Sequence, residues 1–403
     1  IATLFLFLAF LEDSGYMARA AFVMDRFMQW VGLPGKAFVP LIVGFGCNVP
    51  SIMAARHLDH HRDRLLTIIM APFMTCGARL AIFAVFTSAF FPNYAGLVMF
   101  SLYLIGLTVA ILTGLILKKT LLKGDNAPFI MELPIYHLPT FKILYTLTWQ
   151  KLKGFVLKAG KVIIPICLLF GTLNSFQLDG KINTNSDGAA NTYLSAIGKA
   201  TTPLFEPIGI TQNNWPATVG LITGTLAKEV VVGSLNTLYS QNQNQDQNKQ
   251  GQQNKTNILQ GLYNSWLATI DSVTSISFKQ FINPLSANEA DHDMSKSVMG
   301  NMAAAFGNKL SAFCYLLFVL LYVPCVSTIA ATYREANKSY AWLSTIWSMG
   351  IAYILACVVF QIGSWVLGDI TLAHMLLFAG PAVGIFALFI YSLKLISNNK
   401  SLL

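Results

Sequence analysis

Three short stretches of the sequence each place a cysteine close to a proline inside an apolar run. They are Gly44-Phe-Gly-Cys47-Asn-Val-Pro50, Pro72-Phe-Met-Thr-Cys76 and Tyr322-Val-Pro324-Cys325. A proline within a helix removes a hydrogen-bond donor and leaves a backbone carbonyl without its partner. In a membrane, such a carbonyl must line a cavity or be buried in protein, and a cysteine adds a soft metal ligand. The combination predicts a pathway for a metal ion.

Four other side chains extend this candidate pathway. Asn48 and Met74 lie beside two of the cysteines and would add an amide oxygen and a thioether. Lys228 and Glu229 lie inside another apolar run, where a charged side chain is costly and indicates a function. The alternative for this pair is a buried ion pair, with each other or with another helix.

Two adjacent carboxylates, Glu12 and Asp13, follow the first apolar run. At a cytoplasmic helix end they would receive a departing cation. Solvation of the helix end explains them equally well, so both interpretations stay open.

A histidine cluster, His57, His60 and His61, also has the spacing of metal ligands on one helix face. It would suit a membrane zinc hydrolase. No His-Glu-x-x-His motif is present, and several arginines surround the cluster, so we favour a solvated basic turn.

Composition places the chain in a membrane. It has 403 residues, of which 54% are hydrophobic and 11% charged, and the mean hydropathy is +0.56. Soluble proteins carry about 25% charged residues. Cytoplasmic loops account for the net charge of +9 better than a nucleic-acid partner does. The six cysteines all lie in or beside apolar segments, which makes a disulfide framework an unfavourable interpretation.

Apolar runs of about 20 residues indicate membrane-spanning helices. We predict spans at residues 66–90, 94–117, 155–177, 309–331, 341–366 and 370–396, and broken or re-entrant segments at 38–55 and 216–239. Lysines are dense between residues 118 and 161, so this stretch is expected in the cytoplasm. Counting spans from there places the C-terminus in the cytoplasm as well.

The order of these elements repeats. Each half has a span, an amphipathic stretch, a broken segment and two further spans. The amphipathic stretches are predicted at Phe22–Trp30 and at 192–207, and the orientation count gives the halves opposite topology. Paired broken helices in inverted repeats are typical of transporters. The fold class is therefore an all-α polytopic membrane protein with two inverted repeats. We predict a first repeat at 1–123, a basic linker at 124–154, a second repeat at 155–366 and a C-terminal helix and tail at 367–403. A disordered Gln/Asn-rich loop is expected at about 240–257.

Five motifs in this order resemble the membrane domain of the FeoB family of prokaryotic ferrous iron transporters. They are Leu11-Glu-Asp-Ser-Gly-Tyr-Met-Ala-Arg19, Gly44-Phe-Gly-Cys-Asn-Val-Pro-Ser-Ile-Met-Ala-Ala-Arg56, Ala71-Pro-Phe-Met-Thr-Cys-Gly-Ala-Arg-Leu80, Leu226-Ala-Lys-Glu-Val-Val-Val-Gly-Ser-Leu235 and Leu321-Tyr-Val-Pro-Cys325. The resemblance covers nearly the whole chain. One departure is Ala81, where many relatives have proline, so the predicted break near Cys76 depends on Pro72.

The resemblance implies an Fe(II) permease of the prokaryotic inner membrane, with two Gate repeats and no enzymatic activity of its own. It also implies an upstream cytoplasmic domain that binds GTP and Mg²⁺, which fits a sequence that begins at Ile1 within an apolar run. The lipid bilayer and a small cytosolic FeoA-type protein are the implied partners, and a homo-oligomer is possible. The family places the motif thiols Cys47, Cys76 and Cys325 on the iron path.

We expect Cys47 and Cys325, one from each half, to face each other near the middle of the membrane. Two further alternatives stay open. A nucleoside-type carrier of organic solutes would use amide and aromatic groups such as Asn48 and would leave the thiols unexplained. A membrane scaffold for a cytoplasmic GTPase would transport nothing.

Overall fold

A computed structural model describes residues 2–122, 136–175, 192–226, 228–241 and 296–368, together with residues 380 and 384. The described residues form fifteen α-helices. In chain order they are α1 Ala2–Asp13, α2 Tyr16–Val31, α3 Phe38–Gly46, α4 Asn48–Ala54, α5 His61–Met70, α6 Gly77–Phe90, α7 Ala95–Thr120, α8 Phe141–Ser175, α9 Tyr193–Thr201, α10 Trp215–Leu226, α11 Lys228–Gln241, α12 Lys296–Phe306, α13 Lys309–Leu321, α14 Val326–Glu335 and α15 Lys338–Val366. The chain is an all-α polytopic membrane protein, as predicted.

Four stretches of the described chain are long and apolar enough to cross a membrane. They are His61–Phe90, Ala95–Thr120, Lys309–Glu335 and Lys338–Val366, and they match four of the predicted spans. The predicted span at 155–177 is the C-terminal part of α8, which begins 14 residues earlier, inside the predicted linker. The predicted span at 370–396 and the loop at 240–257 lie outside the described residues, except for residues 380, 384, 240 and 241.

The first broken segment is a hairpin of two short helices. Helices α3 and α4 pack side by side, and Ser51 Oγ of α4 donates to the carbonyl of Pro40 in α3 at 2.7 Å. Lys36, just before α3, pairs with Asp59, just after α4, at 2.9 Å. The two ends of the segment therefore lie close together, and Cys47 lies at its tip, between the two helices. Nine residues of helix reach about 14 Å, close to half the thickness of the hydrocarbon core.

The second broken segment is also a hairpin. Helices α10 and α11 pack together; Asn214, just before α10, accepts a hydrogen bond from Tyr239 near the end of α11. Gly220 permits this approach, since a Cβ on it would lie 2.9 Å from the side chain of Leu235. Lys228 begins the returning helix and so lies at the tip.

The breaks in the two spans are extended turns. Helix α5 ends at Met70, a 3-10 turn covers Ala71–Phe73, and α6 begins only at Gly77. The break that Pro72 predicted is present although residue 81 is alanine. In the second half, residues 322–325 separate α13 from α14.

The two halves pack across each other. Helix α4, from the first hairpin, packs on α14, whereas α11, from the second hairpin, packs on α6. If α4 of the first half corresponds to α11 of the second half, and α6 corresponds to α14, the two contacts are equivalent: each half places its second hairpin helix on the helix after the break of the other half. The turn before each hairpin repeats as well, because Gly32 and Gly209 both have left-handed backbones, with φ of 97° and 96°. These correspondences agree with the predicted pair of repeats.

Helix α2 is amphipathic, as predicted. It buries Ala21, Met28 and Val31 and leaves a row of large apolar side chains exposed. That row consists of Phe22, Val23, Phe27 and Trp30. A helix with such a face suits the boundary between lipid and water. The corresponding stretch of the second half, predicted at 192–207, is helical only to Thr201 and continues as a 3-10 turn to Ile208, because two prolines follow.

Candidate functional site

Each of the three predicted cysteines immediately precedes a helix that starts at a break. Cys47 precedes α4, Cys76 precedes α6 and Cys325 precedes α14. At each position one helix has just ended, so its last carbonyls lack partners within the helix. Each of the three thiols therefore lies close to carbonyls that have no partner within their own helix.

A buried arginine organises the break before α6. The side chain of Arg79 is 0% exposed, and its Nη1 donates to the carbonyl oxygens of Pro72 at 2.7 Å and Met74 at 3.1 Å. These are carbonyls that the break releases from the helix ladder. Arg79 thus holds the turn open, while its Nε and Nη2 make no hydrogen bond with any described group.

Arg79 also brings two of the cysteines together. Cys76, Tyr322 and Cys325 lie near enough to Arg79 for an electrostatic interaction with its side chain, so one buried side chain lies close to the breaks of both halves. Cys325 in turn lies 3.0 Å, Sγ to Oγ1, from Thr328. Arg79 was not among the predicted site residues, although it lies inside the predicted span at 66–90. The argument applied to Lys228 and Glu229, that a charge inside an apolar run is costly and indicates a function, would have identified it.

The tip of the second hairpin reaches the same place. Lys228 Nζ lies 4.8 Å from the ring centre of Tyr322, and Lys228 is only 4% exposed. The Tyr322 hydroxyl lies so close to Gly224 that no side chain would fit there. The predicted Lys228 therefore lies beside the break that carries Cys325. Glu229 belongs to α11, but its side chain lies outside the described residues.

The tip of the first hairpin lies against the break before α6. A Cβ on Gly44 would lie 3.1 Å from Cβ of Met74, so only glycine permits this contact. In the amide orientation that satisfies its surroundings, Asn48 Nδ2 donates to the carbonyls of Gly44 and Ala71, both at 3.1 Å. Asn48 thus joins the hairpin that carries Cys47 to the break that carries Cys76.

Cys47 and Cys325 begin helices that run in the same direction. Helices α4 and α14 pack together, and Arg56, just beyond α4, pairs with Glu335 at the end of α14. The two cysteines stand about ten residues before these charges. This spacing places both near the same level along the paired helices, and their facing each other stays a prediction.

No group of three or more His, Cys, Asp and Glu side chains in the described part of the chain could hold a metal ion. The histidine cluster predicted as the alternative site is therefore not assembled; His61 instead contacts the ring of Tyr340, with ring centres 6.3 Å apart. The thiols at the breaks are spread over neighbouring turns.

Glu12 and Asp13 take part in charge pairs with the segment before α8 and α8 itself. Glu12 pairs with Lys151, and Asp13 Oδ2 lies 3.8 Å from His137 Nε2. These contacts connect the end of α1 to the stretch predicted as a cytoplasmic linker. They explain the two carboxylates by pairing, and a role at the cytoplasmic exit stays a prediction.

The pair of Arg56 and Glu335 joins the two halves at the far ends of α4 and α14. The hydrogen bond that Glu335 accepts raises the pKa of the Arg56 guanidinium above its ordinary value. Arg56 is half-exposed, so reversing it to glutamate should lower the free energy of unfolding by about 1 kcal/mol or less. The double swap Arg56→Glu with Glu335→Arg should recover part of this loss in a double-mutant cycle of thermal unfolding. Additive effects of the two single changes would contradict the pairing.

Comparison with protein families gives two matches. The family model described as Gate, nucleoside recognition, matches residues 1–90 and 156–339. The model described as ferrous iron transport protein B C terminus matches residues 99–151. The two Gate segments contain the two hairpins and the breaks described above.

Several curated proteins are similar to most of this chain. The Fe(2+) transporter FeoB of Escherichia coli (strain K12) is 52% identical over 366 residues, and that of Salmonella typhimurium is 52% identical over 367. The protein of the same name from Shigella flexneri is 52% identical over 366 residues. Each alignment covers 91% of this chain and 47% of the relative, so the chain spans about half the length of these proteins. No solved structure matches the chain significantly.

Proposed function

Since the chain belongs to the FeoB family, as a membrane part built from two Gate segments, we propose that it carries Fe(II) across the inner membrane of a prokaryote. The convergence of thiol-bearing helix breaks from both halves around Arg79 supports this proposal most directly. Fe(II) is borderline in softness, so thiols and carbonyl oxygens together are suitable ligands.

In this proposal the ion passes between the two hairpin tips. Cys76 and Cys325 would offer thiols on either side of the path, Cys47 would stand beside them at the tip of the first hairpin, and Met74 with freed carbonyls would complete the donors. Arg79 supplies one positive charge at this point. The charge opposes a cation and so keeps the affinity for the ion modest, as release of the ion requires.

The predicted segments of the chain and its expected partners belong to the same proposal. The predicted repeats at 1–123 and 155–366 would form the permease, together with the predicted C-terminal helix at 370–396. The linker at 124–154 and the C-terminal tail after that helix would face the cytoplasm. An upstream domain that binds GTP and Mg²⁺, and a FeoA-type protein, would act on the pathway from that side. In this scheme the permease itself catalyses no reaction, and nucleic acid is not a partner.

The carrier of organic solutes is the less favoured alternative. It rests on the nucleoside description of the Gate model and on polar side chains near the breaks. The amide of Asn48, however, is already engaged with backbone carbonyls of the breaks. A substrate would have to break these contacts to use it.

The direct test is anaerobic Fe(II) uptake into proteoliposomes that contain the full-length protein. Cys76→Ser and Cys325→Ser should each lower the initial rate about tenfold or more, because each removes a thiol beside the path. Cys47→Ser should also lower it. Cys357→Ser is the matched control, since Cys357 is a fully buried thiol of α15 and should leave uptake unchanged.

A second readout separates the site from the activity. Co(II) bound by thiolates absorbs strongly in the near ultraviolet, and this absorption should be lost in the Cys76→Ser, Cys325→Ser double variant while the protein stays folded. Equal uptake by wild type and all three thiol variants would show that residues other than these cysteines bind the ion. Absence of Fe(II) uptake in the wild type would favour a scaffold or a carrier of organic solutes, and nucleoside uptake would distinguish these two.

A further inference from the structure

A cavity separate from the cysteines lies between α1, α2 and the first hairpin. Its volume is about 360 Å³, within the range of small-molecule sites. Most of its wall is apolar; Phe5 and Leu8 of α1, Val43 of α3 and Met53 near the end of α4 are among the lining residues. None of the thiols lines it, so the metal-ion path does not account for this space.

The polar part of the lining is mainly cationic. Lys36, Arg56 and Lys151 line the cavity with His57, and Glu12 is the single carboxylate among the lining residues. Each of the three cations already has an acidic partner: Asp59, Glu335 and Glu12, respectively. Asp59 and Glu335 do not line the cavity, so a phosphate there would meet three cationic side chains and one carboxylate, and would share the cations with their acidic partners. The pairing with Lys36 also lowers the pKa of the Asp59 carboxyl.

The position of α2 relates this cavity to the membrane surface. Ala18 and Ala21 of α2 contribute to the cavity wall, while Phe22 and Trp30 are exposed. Since a helix with such an apolar outer face lies at the level of the lipid headgroups, the cavity beside it lies at that level too. Basic pockets between helices on the cytoplasmic side are suited to anionic headgroups.

We propose that this cavity binds one anionic phospholipid, with the phosphate among Lys36, Arg56 and Lys151 and part of an acyl chain along Phe5 and Leu8. The combination of cationic groups and apolar wall fits a lipid, because inorganic phosphate would leave the apolar part empty. The site is independent of the proposed iron path. Its phosphate would nevertheless contact Arg56, which joins the two halves through Glu335.

The test uses the full-length protein in phosphatidylcholine nanodiscs, with increasing fractions of phosphatidylglycerol. A ligand that binds the folded state raises Tm, so phosphatidylglycerol should raise Tm by a few degrees. The Lys36→Gln, Lys151→Gln double variant should lose at least half of this shift. Met53→Trp should lose it as well, because the larger side chain occupies the apolar part. Lys119→Gln, an exposed lysine at the end of α7, is the matched control and should respond like the wild type.

Inorganic phosphate added to phosphatidylcholine nanodiscs distinguishes the source of the phosphate group. Little or no shift is expected from it. The proposal is overturned if phosphate alone reproduces the full shift, if the double lysine variant responds like the wild type, or if Lys119→Gln loses as much as the double variant. Because the lysine variants change only the rim, they keep the test decisive even if Met53→Trp does not fold.

Discussion

Arg79→Met should reduce Fe(II) uptake by the full-length protein about tenfold or more, while most of the protein remains folded. The substitution leaves the carbonyls of Pro72 and Met74 without their donor, and each unpaired buried carbonyl costs about 1–3 kcal/mol. It also removes a buried charge, whose desolvation opposes folding. The lost hydrogen bonds lower the stability, whereas removal of the buried charge raises it, so the two effects on stability oppose each other. Both changes disturb the geometry and the charge beside the thiols, so their effects on uptake add.

Arg79→Lys separates the two contributions. Lysine keeps the charge but lacks the planar fork that reaches two carbonyls at once, so uptake should be intermediate between wild type and Arg79→Met. Arg334→Met is the control, because Arg334 is exposed at the end of α14 and should leave uptake unchanged. If Arg79→Met transports Fe(II) like the wild type, Arg79 has no role in the path. If uptake by Arg79→Met falls only in proportion to the amount of folded protein, the role of Arg79 is structural.

Gly106→Leu should lower the free energy of unfolding by about 2–3 kcal/mol. A Cβ on Gly106 would lie 3.1 Å from the backbone carbonyl oxygen of Phe73 and 3.4 Å from Leu320 Cδ1. The carbonyl belongs to the turn before Met74 and cannot give way without moving that turn. The variant should therefore also lose uptake.

Gly96→Leu provides a matched comparison within the same helix, α7. Nothing lies within 4 Å of a Cβ built on Gly96, so the same change should shift the stability by about 0.5 kcal/mol or less. Both variants can be measured by chemical unfolding in detergent with wild type as reference. Equal effects at the two positions would show that α7 does not pack tightly on the break.

The long spans and the positions of the breaks could be predicted because the relevant signals are local. Apolar length identifies a span, and Pro72 or Pro324 interrupts a helix whatever surrounds it. Helix α8 was predicted too short because its first four turns carry Lys142, Lys151 and Lys153, which lower the mean hydropathy of that stretch below that of a span. The described helix nevertheless starts at Phe141, where lysines are compatible with helix propensity.

The direction of the broken segments could not be predicted from the same signals. A glycine-rich break is compatible both with a segment that continues across the membrane and with one that turns back. The decision depends on contacts between residues far apart in sequence, such as Lys36 with Asp59 and Asn214 with Tyr239. The role of Arg79 is equally non-local, because it depends on Tyr322 and Cys325 in the other half of the chain.

The packing of α4 on α14 and of α6 on α11 has a consequence for how the protein is made. When the ribosome has completed the first half, Arg79 has entered the membrane, but Tyr322, Cys325 and the second hairpin do not yet exist. An arginine at the centre of an inserted helix costs about 2.5–3.5 kcal/mol, so the newly made span should wait at the translocon or shift toward the surface. Synthesis of α14 then completes its surroundings. Nascent chains stopped before residue 322 should therefore insert α6 less efficiently than the same chains carrying Arg79→Leu, and extension beyond α14 should remove the difference.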